Sequence, residues 1–487
     1  MDSQNNLSPL KIIFAIIFSG ICWYFSLGLS GNFWYLLWIA PIPVLIISYQ
    51  SSKKLAFFVS FLAYFIGKLS WFSYLVTVAT LIPAIIFTIA LPLIFSVIVL
   101  ISRTVFLKTN TWFGLFAFPV FFTFFEFLLI NLSPDGSAAS IAYSQSNFLP
   151  LIQIASLIGI LGITFFVSLI PSATALCWIF RKNRKIILPI AIVSFVLVAS
   201  IILFGIIRIN NFTEENKILV GMVVLNENTH KMGNLNFQEE LQHTINYSNE
   251  IAGLAEKGAK IVLLPERAIN INSENKDESI RILSDVARTY NIAIIVGYTN
   301  FVQTEPRNST LVINQQGSSI LSYDKAHLVT GLEQQFKPGN EIGLFNYDET
   351  LIGVAICKDL DFPDFIGKYG KNNLSVIFVP AWDFVIDDWL HSRMAIMRGI
   401  ENGFSEVRAA RQGRLTISDY LGRTTAEADA SNNLSNSLIS EVSFENKPTF
   451  YSQFGELFGK ILSFIALIFL LAAFINFRKP SVMAVGK

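Results

Sequence analysis

Three apolar runs in the second half of the chain end in residues that could do chemistry together. Ile261-Val-Leu-Leu-Pro-Glu266 closes such a run with a proline and a carboxylate, and Ser322-Tyr-Asp-Lys325-Ala-His-Leu sets a lysine just past another. Gly353-Val-Ala-Ile-Cys357-Lys-Asp-Leu-Asp-Phe-Pro363 puts a thiol at the exit of a third. Singly, each has an ordinary reading: a strand-capping acid, a surface lysine, a thiol used as a small hydrophobe. As a set they supply complementary roles. A thiol needs a base to attack as a thiolate, and a carboxylate whose pKa is raised by burial can be that base. A lysine beside a backbone N–H following the nucleophile can hold the oxyanion of a tetrahedral intermediate. No histidine is required. The four present, His230, His243, His327 and His391, lack metal-ligand spacing, so neither a metal nor a cofactor is expected.

The elements that must position these residues alternate in type. Strands are expected at Ile218–Leu225, Ala259–Leu264, Ala293–Thr299, Ser309–Ile313, Leu351–Ile356 and Val376–Val379, and helices at Phe237–Glu256, Asp277–Tyr290 and Trp389–Asn402. Alternation of this kind argues for a layered α/β domain with a buried sheet, in which chemistry gathers at the strand ends. Trp382 and Trp389 either line a substrate groove or fill the core, and Arg398 and Glu401 are expected to pair structurally. Residues 424–445, rich in Thr, Ala, Ser and Asn, read as an exposed loop and strand.

Composition shows that this domain is only half of the molecule. The 487 residues are 53% hydrophobic and 15% charged, with mean hydropathy +0.52. A typical soluble domain carries about 25% charge, so one ordinary globular protein is excluded, as is intrinsic disorder. Three cysteines, Cys22, Cys177 and Cys357, cannot make a disulfide framework. Residues 1–210 hold eleven Lys/Arg and three acids, whereas 211–454 hold 21 basic and 31 acidic residues, a net of −10. The expected organisation is a membrane domain (1–210) with seven spans, a water-soluble catalytic domain (211–454), and a closing span and tail (455–487). At about 20 apolar residues per span, eight spans are expected: Leu10–Leu29, Phe33–Tyr49, Leu55–Leu75, Val78–Ile101, Trp112–Leu132, Leu151–Phe180, Ile186–Ile207 and Ile461–Phe477. The sixth is over-long, so its first residues, to about Ile158, read as a re-entrant or interfacial piece. Lys53 and Lys54, Arg103 and Lys108, Arg181 to Lys185, and Arg478 and Lys479 fall in alternate loops. By the positive-inside rule both termini are cytoplasmic and the soluble domain faces outside. Glu126 lies inside the fifth span, either paired structurally or serving function.

The three motifs resemble, in order and local context, the Glu-Lys-Cys signature of the nitrilase superfamily. With seven spans before and one after, the chain resembles the membrane branch of that superfamily, the apolipoprotein N-acyltransferases. Phe125-Glu126-Phe and Ala142-Tyr-Ser-Gln145…Gly159-Ile-Leu-Gly-Ile-Thr164 resemble that family's fifth and sixth spans. The resemblance implies a four-layer α-β-β-α sandwich beside a polytopic helical membrane bundle. It implies Glu266 as general base, Lys325 as oxyanion stabiliser, Cys357 as nucleophile, Glu333 as support for the lysine, and the N–H of Lys358 in the oxyanion hole. It also implies ping-pong transfer of an acyl chain from a phosphatidylethanolamine-like phospholipid to a lipoprotein whose N-terminal cysteine carries diacylglyceryl. The setting it implies is an inner membrane, with a monomeric enzyme and no nucleic-acid partner. Trp382 and Glu126 are the weaker candidates for substrate contact. The chain departs from the pattern at Lys358-Asp359, where the family has Tyr-Glu, and at Val329-Thr-Gly-Leu-Glu333. Only 23 residues separate Glu333 from Cys357, where the family carries a longer hydrophobic arm. These departures keep open a membrane-tethered amidase, in which water resolves the thioester. A non-catalytic scaffold would have no reason to keep a nucleophile with its base.

Overall fold

The computed structural model describes residues 7–109, 111–213, 216–225, 236–431 and 435–475. His230 and the basic tail Arg478, Lys479 and Lys487 lie outside them. The chain divides into two compact units, one comprising Met1–Leu132, Ser140–Arg208 and Glu456–Lys487, the other Ser133–Ala139 and Ile209–Gly455.

The first unit is helical. Its helices are α1 (Pro9–Ser26), α2 (Pro41–Gln50), α3 (Lys53–Lys68), α4 (Phe72–Ala79), α5 (Leu81–Thr109), α6 (Ala117–Leu132), α7 (Leu149–Ile152), α8 (Ala155–Ile158), α9 (Ile160–Ile179) and α10 (Arg184–Asn210), with a closing helix Leu457–Ile475. Among the described residues, six stretches are long and apolar enough to cross a membrane: Pro9–Ser26, Lys53–Ala79, Leu81–Lys108, Trp112–Leu132, Ile160–Ile179 and Arg184–Asn210. Trp34–Gln50, Leu149–Ile158 and Leu457–Ala473 are shorter, so the eight expected spans resolve into six long apolar helices and three shorter ones. The second expected span is divided because its first part is a 3-10 turn, Trp34–Trp38, and α2 starts only at Pro41. Proline suits a first helical turn, where its missing N–H costs nothing. The over-long sixth stretch breaks at Gly159, whose φ of +69° ends α8 before α9 begins. Small residues let α1 and α3 approach closely: a Cβ on Gly67 would lie 2.4 Å from Cβ of Trp23.

The second unit contains, in order, β1 (Lys217–Val224), α11 (Phe237–Glu256), β2 (Ile261–Leu263), β3 (Ile269–Ile271), α12 (Lys276–Tyr290), β4 (Ala293–Asn300), β5 (Arg307–Ile313), β6 (Ser319–Asp324), β7 (Gly343–Tyr347), β8 (Thr350–Val354), α13 (Pro363–Lys371), β9 (Val376–Trp382), α14 (Asp388–Asn402), β10 (Ser405–Arg411), β11 (Arg414–Ser418), β12 (Thr424–Asp429) and β13 (Asn436–Ser443). One sheet runs β13-β1-β2-β4-β5-β6, with β3 also on β4, and the other runs β12-β11-β10-β9-β8-β7. Alternating side chains decide the layers. Val220, Met222, Ile261 and Ile295 of the first sheet pack against Val354, Phe378 and Val407 of the second. The opposite faces carry Val262, Ile294 and Val296 against Tyr247, Ile251 and Leu283 of α11 and α12, and Ile377 and Val379 against Ile366 and Ala395 of α13 and α14. This is an α-β-β-α sandwich. Residues 424–445 are not a loop and one strand but the two strands β12 and β13. β13 pairs antiparallel with β1 along its whole length, from Lys217↔Ser443 to Val224↔Asn436, and backbone bonding there does not need an apolar pattern.

Candidate active site

Glu266 follows β2 in a Pro265-Glu266 turn that lies flat against β4. Gly297 makes this approach possible, because a Cβ there would meet the Pro265 carbonyl at 2.3 Å and Cα of Glu266 at 2.8 Å. Lys325 follows β6, where alternation buries Tyr323 and Lys325 together, and its N–H is fixed by the Asn308 carbonyl at 2.8 Å. Glu333 sits in the turn after Lys325, its N–H on the Val329 carbonyl at 3.0 Å. The three side chains converge in the interior. Lys325 Nζ donates to Glu266 Oε1 at 2.7 Å and to Glu333 Oε2 at 2.8 Å, with the ammonium only 1% exposed. Asn308 Nδ2 bridges the same two carboxylates, 2.6 Å from Glu266 Oε1 and 2.7 Å from Glu333 Oε1.

Cys357 begins a 3-10 turn, Cys357–Asp361, just past β8. Its φ is +43°, a left-handed conformation that costs a non-glycine residue about 1–3 kcal/mol and recurs at functional sites. Its Sγ lies 3.6 Å from the Trp382 carbonyl at the end of β9. The turn is held by Asp359. One carboxylate oxygen accepts from the N–H groups of Ala326 (3.1 Å) and His327 (2.8 Å), and the other from the Ile356 N–H (2.9 Å) and the Tyr323 hydroxyl (2.6 Å). One buried carboxylate thereby ties the strand exit carrying Lys325 to the turn carrying Cys357. Asp383 adds a second buried pair, accepting from Arg408 at 2.5 and 2.9 Å.

Burial pushes the Cys357 thiol well above its ordinary pKa; Glu266 pushes it further, against the opposing pull of Lys325 and Arg408. At rest Cys357 is therefore a thiol. Burial would lower the Lys325 pKa, but the Glu266 and Glu333 charges override it and hold the ammonium well above the usual range. Burial raises Glu333, and Lys325 more than offsets that, leaving it below the ordinary carboxylate value.

Glu266, Lys325, Glu333 and Cys357 are brought together. Lys358 is buried rather than solvent-facing, its Nζ donating to Asp135 Oδ1 at 2.7 Å. Asp135 belongs to the segment 133–139 of this same unit. Ser137 adds two bonds to the Asp361 carbonyl, from N–H at 2.8 Å and from Oγ at 2.7 Å. Trp382 turns its carbonyl to Cys357 Sγ, its indole N–H on Gln412 Oε1 at 3.0 Å. Glu126 belongs to the helical unit, where Ser140 and Thr164 (2.8 Å) donate to its Oε1. Among the described residues no group of three His, Cys, Asp or Glu is placed to hold a metal.

A family model described as carbon-nitrogen hydrolase matches residues 219–432, and one described as apolipoprotein N-acyltransferase N-terminal domain matches 19–173. The chain is 25% identical to the apolipoprotein N-acyltransferase of Geobacter metallireducens over 87% of this chain and 88% of that one. It is 26% identical to that of Haemophilus ducreyi, over 95% and 98%. Over most of its length the chain is therefore similar to apolipoprotein N-acyltransferases. The second unit, which carries the site, is the nitrilase-like part of the chain. A shorter stretch is 28% identical to the 2-oxoglutaramate amidase of Bacillus subtilis, covering 25% of this chain and 48% of that enzyme.

Proposed function

We propose that the protein moves a fatty acyl chain from a phospholipid, through a thioester on Cys357, to the α-amine of the diacylglyceryl-cysteine of an apolipoprotein. The observation that carries this reading is the buried Lys325 ammonium shared by Glu266 and Glu333 beside the left-handed turn of Cys357. Because the resting thiol is neutral, its proton passes to Glu266 as Sγ attacks the ester carbonyl. Lys325 and the N–H of Lys358 stabilise the oxyanion, and Glu333 fixes the lysine. Collapse of the intermediate forms the thioester and breaks the ester C–O bond, and Glu266 returns the proton to the leaving lysophospholipid hydroxyl. In the second half the acceptor amine attacks the thioester, Glu266 takes its proton, and the Cys357 thiol is regenerated as the amide forms. Trp382 would line the path of the acyl chain. The distribution of Lys and Arg supports cytoplasmic termini and an extracytoplasmic catalytic unit in an inner membrane.

The test is intact-protein mass spectrometry after incubation with phosphatidylethanolamine, then with a diacylglyceryl-cysteine peptide. An acyl mass should appear on Cys357 and move to the peptide amine, and Cys357→Ala and Glu266→Gln should abolish it. An adduct that decays to free fatty acid at the same rate with and without peptide would refute transfer. It would favour the amidase-like reading, for which the short Glu333 to Cys357 connection and the local amidase similarity speak. For orientation, a cysteine placed in the 181–185 loop should resist impermeant reagents in intact cells; labelling there would reverse the topology.

A further inference from the structure

Two arginines flank the ring of Trp382. Arg267 directly follows Glu266, with a left-handed φ of +54°. Arg411 closes β10 in register with Trp382 at the end of β9. Their guanidinium carbons each lie 4.9 Å from the centroid of the Trp382 ring, and the Trp382 carbonyl is the group that faces Cys357 Sγ. Arg411 is 5% exposed, and its Nε and Nη2 have no hydrogen-bond partner. Arg267 has one long bond, from Nε to Thr299 Oγ1 at 3.4 Å. Neither forms an ion pair among the described residues. Asp383, the residue after Trp382, is already taken by both nitrogens of Arg408, and the Glu266 and Glu333 charges that act on Arg267 are already shared by Lys325. In the catalytic cluster Lys325 is balanced by two carboxylates, Glu266 and Glu333. Adding Arg267 and Arg411 leaves three cations to two anions, one positive charge in excess.

A desolvated guanidinium without an acceptor is costly, and two sharing one ring repel each other. Aromatic contact recovers only part of that cost. Such an arrangement is stable as a receptor for a singly charged anion. Guanidinium forks match the paired oxygens of a phosphate, and a phosphodiester carries one negative charge. We propose that Arg267 and Arg411, beside the Trp382 ring, bind the phosphodiester of the acyl donor. This assignment rests on the acyl-transfer reading. In a glycerophospholipid the phosphodiester is joined through glycerol to the ester that Cys357 attacks. Holding it beside Trp382 places the ester carbonyl at Sγ and turns binding of the headgroup into positioning of the reacting centre. The pair reads the phosphate and not the amine beyond it.

The experiment compares single-turnover acylation of Cys357 in the full-length protein in detergent micelles, using phosphatidylethanolamine and a diacylglycerol with the same chains. Arg411→Gln should lower the ratio of the two rates by about 10- to 100-fold, the loss of a charge-assisted bond to phosphate, and Arg411→Lys should recover part of it. A ratio within about threefold of the original overturns the proposal, whether both rates fall, as they would if Arg411 only supports Trp382, or neither does. Calorimetric titration of Cys357→Ala protein supplies a readout without turnover. Glycerophosphoethanolamine should bind saturably, and adding Arg411→Gln should weaken it. Binding of inorganic phosphate or glutaramate in its place overturns the phosphodiester assignment. If no ester acylates the unsubstituted enzyme while glycerophosphoethanolamine still binds through Arg411, the acyl-transfer reading fails and the site stands.

Discussion

Asp359 should control both stability and catalysis, through bonds that can be counted. Its carboxylate accepts from three backbone N–H groups, those of Ala326, His327 and Ile356, and from the Tyr323 hydroxyl, and the His327 ring Nδ1 lies 3.1 Å from the oxygen that faces Ala326 and His327. In Asp359→Asn the amide nitrogen is least disruptive on the side facing Ile356 and Tyr323, since the tyrosine hydroxyl can turn to accept. The Ile356 N–H then loses its acceptor in a fully buried position. A hydrogen bond to a charged group contributes about 1.5–3 kcal/mol, and an orphaned donor costs about 1–3 kcal/mol more, for a total of about 3–5 kcal/mol. For a unit of this size that corresponds to a Tm lower by roughly 10 °C. Tyr323→Phe removes one donor and leaves the carboxylate its backbone partners, so its effect should be about half as large or less. Release of the Cys357 turn by as little as about 1 Å should also slow acylation about 100-fold. Thermal unfolding of the purified full chain, followed by intrinsic fluorescence, and single-turnover acylation measure the two effects. A Tm loss for Asp359→Asn no greater than that of Tyr323→Phe would refute the stability argument. A large Tm loss with acylation within threefold of the original would refute the positioning role.

Other sites give sharper single readouts. Gly297→Ala would drive a Cβ to 2.3 Å from the Pro265 carbonyl and displace Glu266, so acylation should fall about 100-fold; a normal rate would contradict the close approach. Burial would lower His391, but Asp387 at 2.9 Å, helped by Asp361 and Asp383, more than offsets it and holds the imidazole up at about 9. A folded pKa above the unfolded value of about 6.5 means that this pair stabilises fully below that pH, and that its contribution, on the order of 3 kcal/mol, fades as pH rises through about 9. The Tm gap between the native chain and His391→Gln should therefore close above that pH, and a pH-independent gap would exclude the ion pair. Burial and Glu266 both raise the Cys357 pKa, so Glu266→Gln should speed alkylation of Cys357 by iodoacetamide at alkaline pH while blocking acylation. Slower alkylation would mean that the carboxylate does not act on the thiol.

Much of this was legible in the residues. The apolar periodicity placed the strands that lead to Glu266 and Cys357, and α11 runs Phe237–Glu256 as its spacing implies; β6, the strand before Lys325, is mostly exposed and was not among the expected strands. What escaped detection was polar. β10 reads Ser-Glu-Val-Arg-Ala-Ala-Arg, yet every residue is buried, because Arg408 is neutralised by Asp383 from the neighbouring strand and the pairing exists only in three dimensions. Asn308 and Asp359 carry no signal of their own, since one looks like a strand residue and the other like a turn acid. Their roles arise from strands distant in sequence that converge on them. β13 was hidden because edge pairing to β1 uses backbone groups and leaves its side chains free to be small and polar.

The tie from Asp135 to Lys358 has a consequence for how the protein is made. The two residues are 223 positions apart, so residues 133–139 leave the ribosome long before the turn that carries the nucleophile. A gene fragment encoding 211–454 therefore does not encode the whole catalytic unit. Expressed alone, it would leave the Lys358 ammonium with only Asp361, at 3.8 Å, in place of Asp135, and the Asp361 carbonyl without either Ser137 donor. The cysteine turn must settle on a peptide that translation delivered earlier and that α6 delivers only if it has itself been inserted correctly. A fault in the biogenesis of that helix would thus leave Glu266, Lys325, Glu333 and Cys357 all present, on a turn without its anchor.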